Sequence, residues 1–146
     1  MKKVMIGALS VILVSAGLWA QKQSKSWGEN KSTEAAQKSA QDWLALIDKG
    51  DYAASYDEAA SLFKAAITKD DWMQKIRAAR APFGKVVSRK LKTAQFTTQL
   101  PGAPDGQYVV MQYDTSFENK QSAVETIVPM LDKKDSQWRT SGYFIK

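Results

Sequence analysis

The feature that most constrains the fold is a run of three strand-like segments in the last third of the chain. Each segment is rich in aromatic and β-branched residues, which suit a pleated and half-buried surface. The segments lie at residues 107–117, 122–131 and 137–145, separated by short polar turns at 118–121 and 132–136. Connections this short join antiparallel neighbours, because a parallel crossover needs a dozen or more residues. The pattern therefore predicts an antiparallel meander.

A further strand is predicted upstream, at residues 85–100, before a turn rich in proline and glycine. Val87, Arg89 and Leu91 fall on one face of this strand, because successive side chains point to opposite sides. The parity of the apolar residues changes beyond Thr93, which indicates a β-bulge. Arg89 thus shares a face with apolar neighbours, where a buried charge needs a partner.

The first half of the chain predicts three helices. Ser32 offers a start for the first helix, and Gly50 offers a left-handed end for it. Asp51 can cap a second helix, and Thr68 can cap a third, which Pro82 ends because proline cannot continue the hydrogen-bonded ladder. The fold class predicted from these patterns is α+β, with three N-terminal helices packed on a curved four-stranded antiparallel sheet.

The N-terminus has the anatomy of a secretory signal, since Lys2 and Lys3 precede a long apolar run. We expect a signal peptide over residues 1–20, a flexible leader over 21–31 and a single α+β domain over 32–146. Cleavage would place the mature domain in the periplasm or outside the cell, without a stable membrane anchor. The apolar run is also just long enough to be retained as an anchor, and this alternative stays open.

The composition excludes several classes of catalytic, disulfide and metal site. The chain has no cysteine and no histidine, which excludes disulfides, thiol catalysis, Ser-His-Asp triads and zinc sites built on imidazole or thiolate. A metal site built on carboxylates alone stays possible, but no loop has the spacing of a calcium site. We expect neither a metal nor another cofactor. The formal net charge of +6 is small and scattered, and no basic face carries interleaved aromatic residues. We therefore expect no nucleic-acid partner.

Five short motifs occur in an order that is specific when they are taken together. They are WLALIDKGDYAAS at 43–55, RAPFG at 80–84, SRKLK at 88–92, PGAPDG at 101–106 and WRTSGY at 138–143. This combination resembles a family of small exported bacterial proteins known as domain-of-unknown-function family 4019, over residues 36–146. The resemblance implies no established activity and no assigned catalytic residues. The predicted order of elements is also similar to the cystatin-like or nuclear-transport-factor-2-like cone, a likeness of architecture alone.

The candidate site residues are polar groups on otherwise apolar strand faces, together with aromatic residues of the helices. The candidate ligand-binding residues are Arg89, Glu125, Arg139, Tyr143, Tyr56 and Trp43. The polar members either form an ion pair between strands or bind an anionic ligand, since arginine suits a bidentate contact with carboxylate. The aromatic members either pack in the core at helical spacing or line a cavity.

The sequence leaves the partner of Glu125 open. With Leu131 opposite Gln137 across the last turn, counting along the strands does not place Arg139 opposite Glu125. A bulge at Pro129 would shift this register. Arg89, on the inward face of the first strand, is the competing partner.

Two hypotheses for function follow. The first is a non-catalytic exported domain, monomeric or dimeric, that binds a small molecule or a partner protein through the cone mouth or the sheet face. The alternative is a His-free isomerase or lyase with a carboxylate base, Asp114 or Glu125, and an oxyanion donor, Tyr143 or Tyr113. An open pocket that holds a desolvated carboxylate beside a tyrosine would favour the enzyme. A closed and packed interior would favour the binding domain.

Overall fold

A computed structural model describes residues 15–146, with side chains described from residue 25 onward. The described chain consists of α1 (Ser15–Asp48), α2 (Tyr52–Asp57), α3 (Ser61–Ala66), α4 (Lys69–Arg80), β1 (Val86–Thr97), β2 (Tyr108–Phe117), β3 (Lys120–Asp132) and β4 (Gln137–Ile145). The strands form one antiparallel sheet in the order β1-β2-β3-β4. The predicted α+β class, with helices followed by a four-stranded antiparallel sheet, is confirmed.

Helix α1 begins well before the position that the sequence pattern indicates. The helix runs through Ser32, so the predicted start there is wrong. Thr33 donates its hydroxyl to the carbonyl of Glu29 inside the helix, at 2.8 Å. Residues 21–31, expected to be a flexible leader, are helical as well. The segment lacks proline and contains several strong helix formers, which explains why its isolated glycine and serines do not end the helix.

The predicted signal peptide falls largely outside the described residues, which begin at Ser15. The part of it that is described, Ser15 to Ala20, forms the first turns of α1. Cleavage and the division into leader and domain stay predictions. Within residues 15–146, no helix combines the length and the apolar character needed to cross a bilayer.

The ends of the helices follow the predicted chemistry. Gly50 lies just beyond α1 with a positive φ of 77°, a conformation that glycine adopts without a steric penalty. The carboxylate of Asp51 accepts a hydrogen bond from the backbone N–H of Ala54 at the start of α2. The Thr68 hydroxyl accepts one from the N–H of Asp71 at the start of α4. Local sequence therefore determines these boundaries.

The predicted second helix is in fact two short helices, α2 and α3. The break arises because the sheet supplies partners for the backbone between them. The N–H of Ala60 donates to the carbonyl of Thr140 on β4 at 2.8 Å. The N–H of Ser61 donates to the carboxylate of Asp132 at the end of β3, at 2.7 Å. These contacts are distant in sequence, so the pattern of residues 51–67 does not reveal them.

Within the described residues the strand registers shift at four places, and the sequence indicated a bulge at two of them. The register of β1 against β2 shifts between Leu91 and Thr93, which confirms the bulge expected there. At the last turn Leu131 lies opposite Trp138, so the assumed pairing of Leu131 with Gln137 is wrong. The register of β3 against β4 shifts between Val128 and Pro129, the position at which the sequence left a bulge open, and Ser141 has no counterpart on β3.

The core lies between the inner face of the sheet and the helices, and Ser55 ties its tryptophans together. Trp43 donates its indole N–H to the carbonyl of Ser55 at 2.8 Å. Trp72 donates to the hydroxyl of the same serine at 3.0 Å. The two indole rings lie 5.8 Å apart. Buried indole N–H groups need such partners, so Ser55 satisfies both rings in a region that water does not reach.

The buried carboxylate of Asp132 yields a prediction about pH. It accepts backbone hydrogen bonds from Ser61 and Lys134. Burial alone would raise the pKa of Asp132, but these amide hydrogen bonds outweigh burial and lower it. Its contribution to stability is therefore complete above about pH 4, the pKa of an unfolded aspartate, and is lost as pH falls through the lower pKa of the folded state.

We expect Asp132→Asn to reduce the free energy of unfolding by about 1–2 kcal/mol at pH 7, because an amide has only one acceptor oxygen for two N–H donors. The difference from wild type should shrink below about pH 4. Urea unfolding at a series of pH values measures both effects. Asp105→Asn, at an exposed loop position, is the matched control. A difference from wild type that does not change with pH would contradict this role for Asp132.

Candidate functional site

Arg89 holds two carboxylates at the centre of the molecule. It lies on the inner face of β1, where its Nε donates to Glu125 at 2.7 Å and its Nη2 donates to the other oxygen of Glu125 at 3.2 Å. The same guanidinium donates to both oxygens of Asp48, at the C-terminal end of α1, at 2.8 and 3.0 Å. One guanidinium therefore makes two bidentate contacts, which use all of its outward N–H groups.

Glu125 is the most enclosed charged residue of this group, with 0% of its surface exposed. It lies on β3, between β2 and β4. Thr115 on β2 donates its hydroxyl to one carboxylate oxygen at 2.6 Å, and Tyr143 on β4 donates a short hydrogen bond to the other. Together with Arg89, these donors occupy both oxygens. The partner of Glu125 that the sequence left open is thus Arg89.

Arg80 adds a second cation from the last turn of α4. Its Nη2 donates to Asp48 at 3.1 Å, and its guanidinium carbon lies 5.0 Å from the centre of the Phe117 ring. The side chain is 6% exposed, and its other two nitrogens have no hydrogen-bond partner among the described residues. The aromatic face supplies a cation–π contact on this side.

We call this group the ionic core. Its members are Asp48, Arg80, Arg89, Thr115, Glu125 and Tyr143. Two arginines balance two carboxylates, so the group has no net charge at neutral pH. Such balance is the condition under which buried charges are tolerated.

Two members of the ionic core, Arg89 and Tyr143, have a raised pKa. Burial alone would lower the pKa of Arg89, but its hydrogen bonds to Asp48 and Glu125 and their charges raise it. Burial raises the pKa of Tyr143, and the neighbouring charge of Glu125 raises it further. Arg89 is therefore charged and Tyr143 is a neutral phenol around neutral pH.

The structure brings three of the predicted site residues together and leaves three apart. Arg89, Glu125 and Tyr143 form part of the ionic core. Arg139 is bound to Asp135 and Glu58 near the surface. The remaining two are aromatic: Trp43 is a core residue whose ring lies 5.5 Å from that of Tyr143, and Tyr56 donates its hydroxyl to the carbonyl of Ile67 at 3.0 Å.

The other candidates for the alternative enzyme lie apart from one another. Asp114 is exposed, and its carboxylate is 3.7 Å from the ammonium of Lys92. Tyr113 is buried, and its hydroxyl contacts the sulfur of Met111 at 3.8 Å. Among residues with described side chains, no three carboxylates converge to form a potential metal site.

The sequence interpretation missed Asp48, Arg80 and Thr115, although each carries a signal. Arg80 continues the buried face of α4 at four-residue spacing from Ile76, and Asp48 continues that of α1 in the same way from Leu44. Thr115 keeps the inward alternation of β2. A charged residue in phase with an apolar face is the pattern that would have identified them.

A surface groove lies apart from the ionic core, between α1, α2 and the first half of β4. Its volume is about 700 Å³. The groove is lined by Ala35, Lys38, Ser39, Asp42, Trp43, Leu46, Ala54, Glu58, Gln137, Trp138 and Arg139. Two of the predicted site residues, Trp43 and Arg139, therefore border a concave surface, whereas Glu125 and Tyr143 do not line it.

The ionic core predicts a large effect for Glu125→Gln. Loss of the negative charge leaves a buried arginine without full compensation, so the free energy of unfolding should fall by about 3 kcal/mol. Tyr143→Phe removes a single donor to the same carboxylate and should cost about 1.5 kcal/mol. Urea melts of the variants and the wild type measure both losses.

The matched control for Glu125→Gln is Asp114→Asn, the same change of charge on the exposed face of the sheet. Its effect should stay below about 1 kcal/mol. A Glu125→Gln variant no less stable than this control would show that the ionic core does not stabilise the fold.

Comparison with known proteins agrees with the motifs of the sequence. No curated protein matches the chain. A family model described as "Protein of unknown function (DUF4019)" matches residues 39–143. This span includes the end of α1, the three shorter helices and nearly the whole sheet, and thus every member of the ionic core. The chain belongs to this family of proteins of unknown function.

Proposed function

We propose that the protein is an exported, non-catalytic binding module, and that its binding surface is the groove between α1, α2 and β4. The observation that carries the proposal is the enclosure of Glu125, the carboxylate best placed for acid–base chemistry. It has no exposed surface, and protein donors occupy both of its oxygens.

The enclosure weakens the alternative of an isomerase or lyase. A general base must reach the proton that it removes, and an oxyanion donor must point at the substrate. Tyr143 instead donates to Glu125 itself, and Arg89 and Thr115 hold the rest of the carboxylate. A substrate would have to displace these donors and expose an ion pair.

The groove has the composition of a recognition surface. Trp138 and Arg139 are of the residue types that most often contribute strongly to binding, and Trp43 and Leu46 add an apolar floor. The polar rim includes Lys38 and its ion-pair partner on the next helical turn. An apolar floor with a charged rim suits a ligand that has an apolar part and a charged end.

A segment of a partner protein suits the groove better than a small molecule does. Small-molecule sites usually enclose most of the ligand surface, whereas this groove lies open along the outside of α1. The backbone on one wall is already fixed, because Ser39 donates its hydroxyl to the carbonyl of Trp138 at 2.6 Å. The groove is thus formed before any partner arrives, which lowers the entropic cost of binding.

Native mass spectrometry of the protein purified from its own envelope tests the groove. The wild type should retain a partner or ligand mass. Trp138→Ala should weaken binding by about 30-fold, the effect of losing a strong interface residue, and so lower the retained fraction. Val87→Ala changes an exposed apolar residue on β1, outside the groove, and should retain the mass as the wild type does. Equal retention by Trp138→Ala and the wild type would contradict the proposal.

Export is tested separately. The proposal rests on Lys2, Lys3 and the apolar run that follows them. Intact-mass measurement of periplasmic material should find a chain that begins near Gln21. A full-length chain in the membrane fraction would support the retained anchor instead.

A further inference from the structure

The free edge of β4 has two halves that differ in how they are covered. In the first half, helices satisfy the outward carbonyls: Ser39 donates its hydroxyl to Trp138, and the N–H of Ala60 donates to Thr140. Ser141, the unpaired residue of the bulge, separates this half from the next. The covered half cannot accept another strand without losing these contacts.

The second half of β4 has no such cover. Lys146 exchanges both backbone hydrogen bonds with Val124 on β3, at 2.8 and 3.1 Å. Backbone direction alternates along an antiparallel strand, so the N–H and C=O groups of Tyr143 and Ile145 point away from β3. These groups have no hydrogen-bond partner within residues 25–146. A second strand is the structure that satisfies such a row.

The side chains of residues 141–145 at this edge are uncharged, and Lys146 follows at the end of the segment. Phe144 lies on the outer face of the sheet and is 66% exposed. Residues 141–145 contain neither a charge nor a proline. The opposite edge, β1, is different, because Lys90 and Lys92 are exposed along it and bulges interrupt its register. Lysines and bulges are the usual protection against strand addition, so β1 is the better protected of the two edges.

We propose that the second half of β4 pairs with the same segment of a second copy of this chain, antiparallel across a two-fold axis at Phe144. In this register Tyr143 faces Ile145 of the other copy, and both outward residues of each chain exchange their hydrogen bonds. The two sheets become one continuous eight-stranded sheet. Because the axis stands perpendicular to the sheet, both sets of helices lie on the same side.

A second copy fits this edge better than an unrelated strand does, because the edge is complementary to itself. The two Phe144 residues form a non-hydrogen-bonded pair, with Cα atoms about 4.5 Å apart, so each exposed ring meets its equivalent. No like charges meet within residues 141–145. The register places Lys146 of one chain opposite Gly142 of the other.

The paired segment is short, and its area is below that of a stable, permanent dimer. We therefore expect a weak dimer that forms with rising protein concentration and dissociates on dilution. The proposal does not depend on the groove, which borders the first half of β4.

A single cysteine tests the two-fold axis directly, because the natural chain contains none. A separation of about 4.5 Å between the paired Cα atoms lies within the range of a disulfide. Under mild oxidation, the Phe144→Cys variant of the full chain should form a covalent dimer at least about tenfold faster than Val87→Cys at the same concentration. Val87 is the matched control, because it is 67% exposed and lies on β1. Equal rates for the two variants would overturn the proposal.

Sedimentation of the unmodified protein gives an independent test that needs no cysteine. The wild type should show concentration-dependent dimerisation, and Phe144→Lys should weaken it by about tenfold or more, because two lysines then face each other and the aromatic pair is lost. Val87→Lys should leave it unchanged. Circular dichroism confirms that each variant is folded. A wild type that stays monomeric at every concentration, or a dimer insensitive to Phe144→Lys, would refute the pairing.

Discussion

The ion pairs of Arg89 are the interaction on which the rest of the structure depends. Arg89 joins β1 to the end of α1 through Asp48 and to the middle of β3 through Glu125. Arg80 brings in α4, and Tyr143 brings in β4. The ionic core thus contains one residue from each of α1 and α4 and one from each of the four strands. It fixes positions that apolar contacts alone leave adjustable, because hydrophobic packing is not directional.

The ionic core contributes more to the specificity of the fold than to its net stability. Removing Glu125 and Arg80 from water, and Arg89 and Asp48 in part, costs free energy that their attraction only partly offsets. A slip of β1 by one residue, however, would turn Arg89 to the solvent face and leave Glu125 buried without a cation. The inward face of each strand is therefore determined by charge as well as by apolar pattern. This matters for β1, where the bulge beyond Leu91 already interrupts the apolar alternation.

Features determined by local residues could be predicted from the sequence, and features determined by distant contacts could not. Gly50, Asp51 and Thr68 mark helix ends because their own backbone or side chain makes the cap. The break between α2 and α3 depends on partners from the sheet, and Pro129 indicated a bulge without determining the register of β4. For the same reason the partner of Glu125 was identified only as one of two arginines. The choice required the register of three strands.

Because the interior is closed, any binding site of this domain lies on its surface. In many small α+β domains the space between helices and sheet is the ligand site. Here Trp43, Tyr143 and the ionic core fill that space.

The two edges of the sheet differ in how they are protected from pairing with another strand. Exposed lysines line the edge at β1. Where a helix lies close, as at Trp138, polar groups of the helix cap the edge. The segment around Phe144 has neither form of protection. An uncapped apolar edge exposes the chain to uncontrolled association unless a defined partner covers it, so its presence beside a closed interior is the physical reason to look for function at β4.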